Sequence, residues 1–274
     1  MAMKPDSSLM NTTFVALDLE TTGLTPVMDR IVEIGAVRFR AGKVLDTFQT
    51  LVDPEMPISV DATATNNITD DMVKGQPTIE EALPEFIGFM GQDIPMAHHA
   101  PFDVGFLTYD ISRLNLKTVD RPVFDTCTIP KSLFPHASAY NLEYLVEFLN
   151  IPTGTLHRAL ADAEACMGVF NRCVAEMGGW ERATMEEVLA VNGPTLSLCT
   201  GDIMLDEPFH PLKEALDKGD DLEIRYQAAG GSVSVRRITP LSIGPFRGTA
   251  MIEAFCHLRN DKRNFRLDRI MEIR

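Results

Sequence analysis

Thr13-Phe-Val-Ala-Leu-Asp18-Leu-Glu20-Thr-Thr-Gly-Leu24 is the stretch on which the fold turns. Its first seven residues make a short, β-rich apolar run, the pattern of a buried strand. The run ends in two acids, Asp18 and Glu20. Residues two apart on a strand point to the same face. Both carboxylates therefore aim into one space and repel each other unless a cation lies between them. Thr21-Thr22-Gly23 then breaks the strand, and Gly23 permits a tight backbone turn. Such a turn leaves backbone amides and the hydroxyls of Thr21 and Thr22 to hold the end of a bound chain.

Two further blocks extend the pattern. His98-His99-Ala100-Pro101-Phe102-Asp103 follows a strand-like run, Ile94 to Ala97, and opens a helix-like stretch, Phe102 to Leu114. His157-Arg158-Ala159-Leu160-Ala161-Asp162-Ala163 opens an alanine-rich helical stretch whose packing face runs through Ala163, Ala165, Val169 and Phe170. Any one block alone reads as a solvated strand end, a helix start or a cap. Together, in this order, they supply four carboxylates and a histidine. Hard divalent cations take oxygen ligands, and magnesium needs only a few carboxylates, leaving room for water and phosphate. Two such ions roughly 3.5–4 Å apart clamp the attacking and leaving oxygens of an in-line displacement. The set predicts phosphodiester cleavage with two Mg²⁺ or Mn²⁺ ions as cofactors.

The three blocks resemble the motifs of the DEDDh family of 3′–5′ exonucleases, the group of proofreading subunits and RNase T. Phe124-Asp125-Thr126 and Tyr140 through Ile151 resemble the family's segment between its second and third motifs, and the likeness covers about residues 12–177. The resemblance implies Asp18, Glu20, Asp103 and Asp162 as metal ligands, with Asp18 bridging both ions. It implies Glu20 and Asp162 on the more tightly held ion, with Asp103 supporting the second. His157 would be the general base, a role that suits an imidazole of ordinary pKa near 6.5. Leu24 and Phe102 would pack near the terminal base, beside Thr21 and Thr22. His99 stands where the family often has asparagine.

Composition agrees with an intracellular enzyme. The chain has 274 residues, 45% hydrophobic and 23% charged, which suits two modest domains or one large one. It carries no apolar run long enough for a transmembrane helix and no apolar signal core near Met1, so a cytoplasmic location is expected. Five cysteines without a Cys-x-x-Cys pair fit a reduced setting and argue against zinc. The net charge of −14 looks wrong for a nucleic-acid binder, but from Asp221 onward ten Lys/Arg face six Asp/Glu. A single 3′ end needs only a local basic surface.

The order of elements predicts an α/β fold: strands at about 13–19, 30–39 and 43–52, helices near 77–91, 102–114, 141–149 and 159–177, and short strands near 94–97 and 122–125. The family resemblance narrows this to a ribonuclease-H-like, five-stranded mixed sheet with flanking helices. Domain boundaries are expected at 1–178 for the nuclease, 179–206 for a helical linker and 207–274 for a second domain. In the last, a helix at Pro211 to Lys218 precedes strands at Leu222–Gln227, Ser232–Ile238, Leu241–Ile243, Met251–Leu258 and Phe265–Leu267, the pattern of a small barrel.

Residues 207–274 resemble the WYL domain, an Sm/SH3-like β-barrel. The matches are Leu222-Glu-Ile-Arg-Tyr226, Arg237-Ile-Thr-Pro-Leu241, Ile252 to Arg259 and Arg263 to Ile270. The eponymous Trp-Tyr-Leu is replaced here by Ala250-Met251-Ile252. The resemblance implies nucleic-acid or nucleotide binding through Arg237, Arg259, Arg263 and Arg266, since arginine makes bidentate phosphate contacts. A solvated face paired with Asp261 and Asp268 is the competing reading, and Tyr226 and Phe265 read as core.

The expected activity is exonucleolytic release of nucleoside 5′-monophosphates from 3′ ends, single-stranded DNA favoured. An RNA-processing exoribonuclease and a nucleic-acid-sensing regulator are the alternatives. A homodimer is plausible from family habit.

Overall fold

The computed structural model describes residues 9–154, 156–199, 207–228, 230–246 and 249–274. The first eight residues and 200–206, the end of the expected linker, lie outside them. The chain divides into two compact units, one of residues 9–24, 30–104 and 118–199 and one of 25–29, 105–117 and 207–274.

The elements, in order, are β1 (Thr13–Thr21), β2 (Ile31–Arg40), β3 (Lys43–Leu51), α1 (Val60–Asn66), α2 (Asp70–Val73), α3 (Ile79–Met90), β4 (Ile94–Ala97), α4 (Pro101–Arg113), β5 (Pro122–Asp125), α5 (Ile129–Leu133), α6 (Leu142–Phe148), α7 (Ala159–Glu176), α8 (Met185–Asn192) and β6 (Leu196–Ser197). The second unit adds α9 (His210–Lys218), β7 (Leu222–Gln227), β8 (Val233–Phe246), β9 (Thr249–Cys256), β10 (Asp261–Arg266) and β11 (Ile270–Ile273).

The first sheet runs β3-β2-β1-β4-β5-β6. β1 lies inside the sheet, antiparallel to β2 and parallel to β4. Its apolar run earns that place. Phe14 stacks on Phe39 with centroids 5.6 Å apart and meets Phe170 of α7 at 5.1 Å. These rings anchor a core that also takes Ala183, Met185 and Val188 from the segment around α8. The arrangement is the expected mixed α/β, ribonuclease-H-like one, with six strands rather than five. The sixth, β6, is a two-residue pairing with Pro122 and Val123, too short to leave a periodic signal.

Helix α7 lies close on β2 because position 35 is glycine. A Cβ there would sit 2.2 Å from the Ala159 carbonyl carbon and the Leu160 nitrogen, both backbone atoms that cannot swing away. Gly35→Ala is therefore expected to cost about 2–3 kcal/mol, the upper range for overpacking. Urea denaturation would measure it, and an unchanged midpoint would show that α7 can lift off β2 freely.

The second unit holds an antiparallel sheet in the order β10-β9-β8-β7-β11. Leu212 of α9, Ile224, Ile238, Ile252, Phe265 and Ile270 contribute to its core. Three strand expectations are corrected here. The two runs flanking Pro240 form one strand, β8, because a register shift between Pro240 and Ser242 absorbs the proline in a bulge. The run Met251–Leu258 pairs from Thr249 to Cys256, and Phe265–Leu267 shifts to Asp261–Arg266, where register follows the β9 partner. β11, four residues long, has no alternation to announce it. Tyr226 and Phe265 pack edge to face at 5.1 Å, as core residues. No helix of the described residues is long and apolar enough to cross a membrane.

Candidate active site

β1 delivers Asp18 and Glu20 at its C-terminal end, where the register against β2 shifts between Glu20 and Thr21. α4 brings Asp103 in its first turn, and α7 brings Asp162 in its first turn. One oxygen each from Asp18, Glu20 and Asp162 lies within 4.8 Å of the others. Asp103 stands behind them, 2% exposed, its Oδ1 accepting from the Leu19 amide at 3.1 Å. That bond keys α4 to the residue between the two β1 acids.

Electrostatics mark the cluster as strained. Burial, then Asp103, Asp162 and Glu20, pushes the Asp18 carboxyl well above the usual range. Burial, then Asp162 and Glu33, raises Glu20 to about 7. Burial also raises Asp103 and Asp162. Repulsion among crowded, buried acids is what a bound cation would relieve. Oxygen-only donors at this spacing suit a hard divalent cation.

The cluster opens into a cavity of about 550 Å³. Asp18, Glu20, Thr21, Leu24, Phe102, Asp103, His157 and Asp162 all line it. Leu24 is 82% exposed at its mouth. His157 is exposed, with φ +70°, and its amide donates to Asp162 Oδ1 at 3.2 Å and Oδ2 at 3.3 Å. The five-residue spacing is thus closed by hydrogen bonds that hold the histidine's backbone at the Asp162 carboxylate. A left-handed backbone at a non-glycine residue is uncommon and clusters at functional sites. His99, also on the cavity, shares it with φ +64°.

Thr22 is absent from the lining. The turn uses both threonine hydroxyls itself: Thr21 Oγ1 donates to the Gly23 carbonyl at 2.5 Å, and Thr22 Oγ1 accepts from the Arg30 amide at 3.0 Å.

Sequence reasoning missed one wall. α1 supplies Ser59 at its N-cap and Asn66 to the cavity, and their side chains bond the Thr22 and Thr21 carbonyls at 3.1 and 3.4 Å. The available signal was Ser59 as an N-cap before an alanine-rich turn. His98 was also given no role. Its Nδ1 lies 3.0 Å from Thr126 Oγ1, and burial drives its pKa down to about 4, so the ring is neutral at pH 7. The third omission is Glu33, a lone acid in the run Ile31 to Val37.

Of the four candidate arginines of residues 207–274, two are held closely by acids of the same segment. Arg237 Nη2 pairs with Asp221 at 2.8 Å, and Arg266 grips Asp268 through Nε and Nη2 at 3.0 and 2.7 Å. Arg263 lies 3.8 Å from Asp261. Arg259 is exposed in the turn after β9. Arg263 and Arg266, three apart on β10, point to opposite faces.

Comparison with known proteins follows this division. The profile of the exonuclease (RNase T) family matches residues 15–170, and that of the WYL domain matches 207–274. Among similar relatives, the DNA polymerase III PolC-type of Thermotoga petrophila is 43% identical over 172 residues, 63% of this chain. That of Clostridium perfringens is 37% identical over 184 residues, 67% of the chain. In both cases the match spans 12% of the relative's own length. The solved structure of exonuclease X in complex with 5′ overhanging duplex DNA aligns with a TM-score of 0.53 and 28% identity, over 66% of this chain and 99% of that one. The nuclease domain of 3′hExo, a DEDDh family member bound to rAMP, aligns at 0.53 with 18% identity, over 65% and 98%, which supports the fold.

Proposed function

The chain belongs to the RNase T type of exonuclease family through residues 15–170, and on that premise we propose that it is a divalent-metal-dependent 3′–5′ exonuclease. It releases nucleoside 5′-monophosphates from single-stranded ends, DNA favoured. The observation that carries this reading is the meeting of Asp18, Glu20 and Asp162 within 4.8 Å, with Asp103 buried behind them.

In this reading Asp18, Glu20 and Asp162 hold the cations, and Asp103 supports them. Bound divalent ions supply Lewis-acid stabilisation of the attacking and leaving oxygens. His157, on the rim, takes the proton from the attacking water. The terminal base rests against Leu24 and Phe102, and the 3′-oxygen of the penultimate nucleotide leaves. The division into an exonuclease domain (1–178), a linker (179–206) and a WYL domain (207–274) belongs to the same proposal. The last would bind nucleic acid or nucleotide through Arg237, Arg259, Arg263 or Arg266. DNA is favoured because the similar relatives are named as DNA polymerases.

The test is digestion of 5′-labelled single-stranded DNA and RNA of one sequence after EDTA treatment, with and without Mg²⁺ or Mn²⁺. A ladder shortening from the 3′ end only with metal supports the reading, and faster RNA turnover selects the exoribonuclease alternative. No cleavage of either polymer overturns it in favour of a nucleic-acid-sensing regulator. His157→Ala is expected to lower kcat by roughly 10²–10⁴-fold, the usual contribution of general acid–base catalysis. It should leave KM within a few-fold, and an unchanged kcat refutes the general-base role.

A further inference from the structure

Glu33 takes no part in the chemistry above, yet it is 0% exposed and charged. It lies on β2, two residues before Gly35 on the same face, where α7 begins. Its two oxygens accept four hydrogen bonds. Arg158 donates through Nη2 to Oε1 at 2.6 Å and through Nε to Oε2 at 3.0 Å. Gln49 Nε2 donates to Oε1 at 2.9 Å, and the Ala159 amide donates to Oε2 at 3.1 Å.

Arg158 is the N-cap residue of α7, and its own side chain caps nothing. A carboxylate from another strand fills that place, taking the first N–H of the helix and complementing its dipole. Arg158 is flanked by His157 on one side, and Asp162 stands four residues on. His157 N–H closes onto Asp162. The turn is therefore tied twice, by the Glu33 fork at Arg158 and by the His157–Asp162 bond.

The charge on Glu33 works against the metal cluster, because it adds to the repulsion raising Glu20 and Asp162. A buried ion pair is weak evidence of stabilisation, and apolar replacements often match it. What the charged fork gives, and a greasy contact does not, is direction: two parallel N–H···O bonds fix the guanidinium in one orientation.

We propose that Glu33 and Arg158 are positioning residues, a buried ion-pair clamp that sets the α7 N-terminus so that His157 and Asp162 face the cavity together. The proposal rests on the exonuclease reading for its effect on rate, and on geometry alone for its effect on His157.

The test uses the full chain with Glu33→Gln, Arg158→Lys, Arg158→Ala and the Glu33→Gln/Arg158→Ala double variant, each checked for folding by circular dichroism. Two readouts run side by side: steady-state cleavage of 5′-labelled single-stranded DNA with Mg²⁺, and the imidazole NMR signals of His157 in metal-free protein, assigned with His157→Ala. Glu33→Gln and Arg158→Ala are each expected to lower kcat about 10–100-fold, the range for groups that orient metal ligands, with KM within about twofold. Arg158→Lys, which keeps the charge without the fork, should recover only part of the rate. The double variant should lose no more than the worse single one, as for two members of one interaction. In the singles the His157 signals should shift. Folded variants with kcat within twofold of the parent, losses that simply add, or an unmoved His157 signal would overturn the clamp. Should the parent chain itself cleave nothing, the exonuclease reading falls, and the His157 signals alone decide the clamp. A Glu33→Gln chain that fails to fold leaves Arg158→Lys to decide, since that side chain is partly exposed.

Discussion

Purified Asp18→Ala, and separately Asp162→Ala, should lose cleavage by more than about 100-fold, since changes one shell further out already cost about 10–100-fold in affinity or activity. Both side chains contribute an oxygen to the three-carboxylate cluster. Among the described residues, the Asp162 carboxylate accepts from the His157 amide, and Asp18 is crowded by other acids. Removing a like charge from such a group relieves repulsion. In EDTA the thermal midpoint of Asp18→Ala should therefore equal or exceed that of the parent. Loss of rate combined with an unchanged or raised midpoint separates a chemical role from a folding defect. Full activity in either purified variant would move the chemistry to another part of the chain.

The second large effect is on stability. Glu20 moves from an ordinary 4.5 to about 7 in the folded chain. A raised carboxyl binds its proton more tightly when folded. The stability it contributes is complete below about 4.5 and is lost as the pH climbs to about 7, amounting to about 3 kcal/mol. Asp18, Asp103 and Asp162 are raised as well and push in the same direction. Glu33 runs the other way. Burial alone would raise it, but the bonds from Arg158, Gln49 and Ala159 outweigh burial and lower it, so its contribution falls away only below 4.5, outside this window. EDTA-treated protein should thus melt at a lower temperature at pH 7.5 than at pH 5. Excess Mg²⁺ should raise the midpoint more at pH 7.5, because a cation that binds only the folded, ionised cluster stabilises it by mass action. A midpoint in EDTA that holds steady from pH 5 to 7.5, with no response to Mg²⁺, would mean the acids are not coupled as their positions indicate.

The arginines of residues 207–274 mark where reading a linear chain runs out. The WYL resemblance marks Arg237, Arg259, Arg263 and Arg266 equally. The folded chain pairs Arg237 with Asp221 and Arg266 with Asp268 and sends Arg263 and Arg266 to opposite faces. Charge counts carry no direction, and strand register decides which face each residue joins. Pro240 teaches the same lesson in backbone terms: it reads as a break, but a bulge carries β8 past it.

The sequence by itself determined the class of the fold and singled out Asp18, Glu20 and Asp162, which the fold brings together. The β1 run, the Asp18–Glu20 spacing and the apolar face of α7 are local patterns, and periodicity reports them directly. Tertiary structure decided what depends on distant partners. It set Asp103 behind the other acids through the Leu19 amide, closed the cavity with α1, and occupied both threonine hydroxyls within the turn. It also assigned Glu33 to Arg158 and the first amide of α7. A buried acid in a strand of Ile, Val and Ala stands out in the sequence, but its partner is 125 residues away. Hydrogen bonds across such separations exist only once the core has brought β2 and α7 into contact.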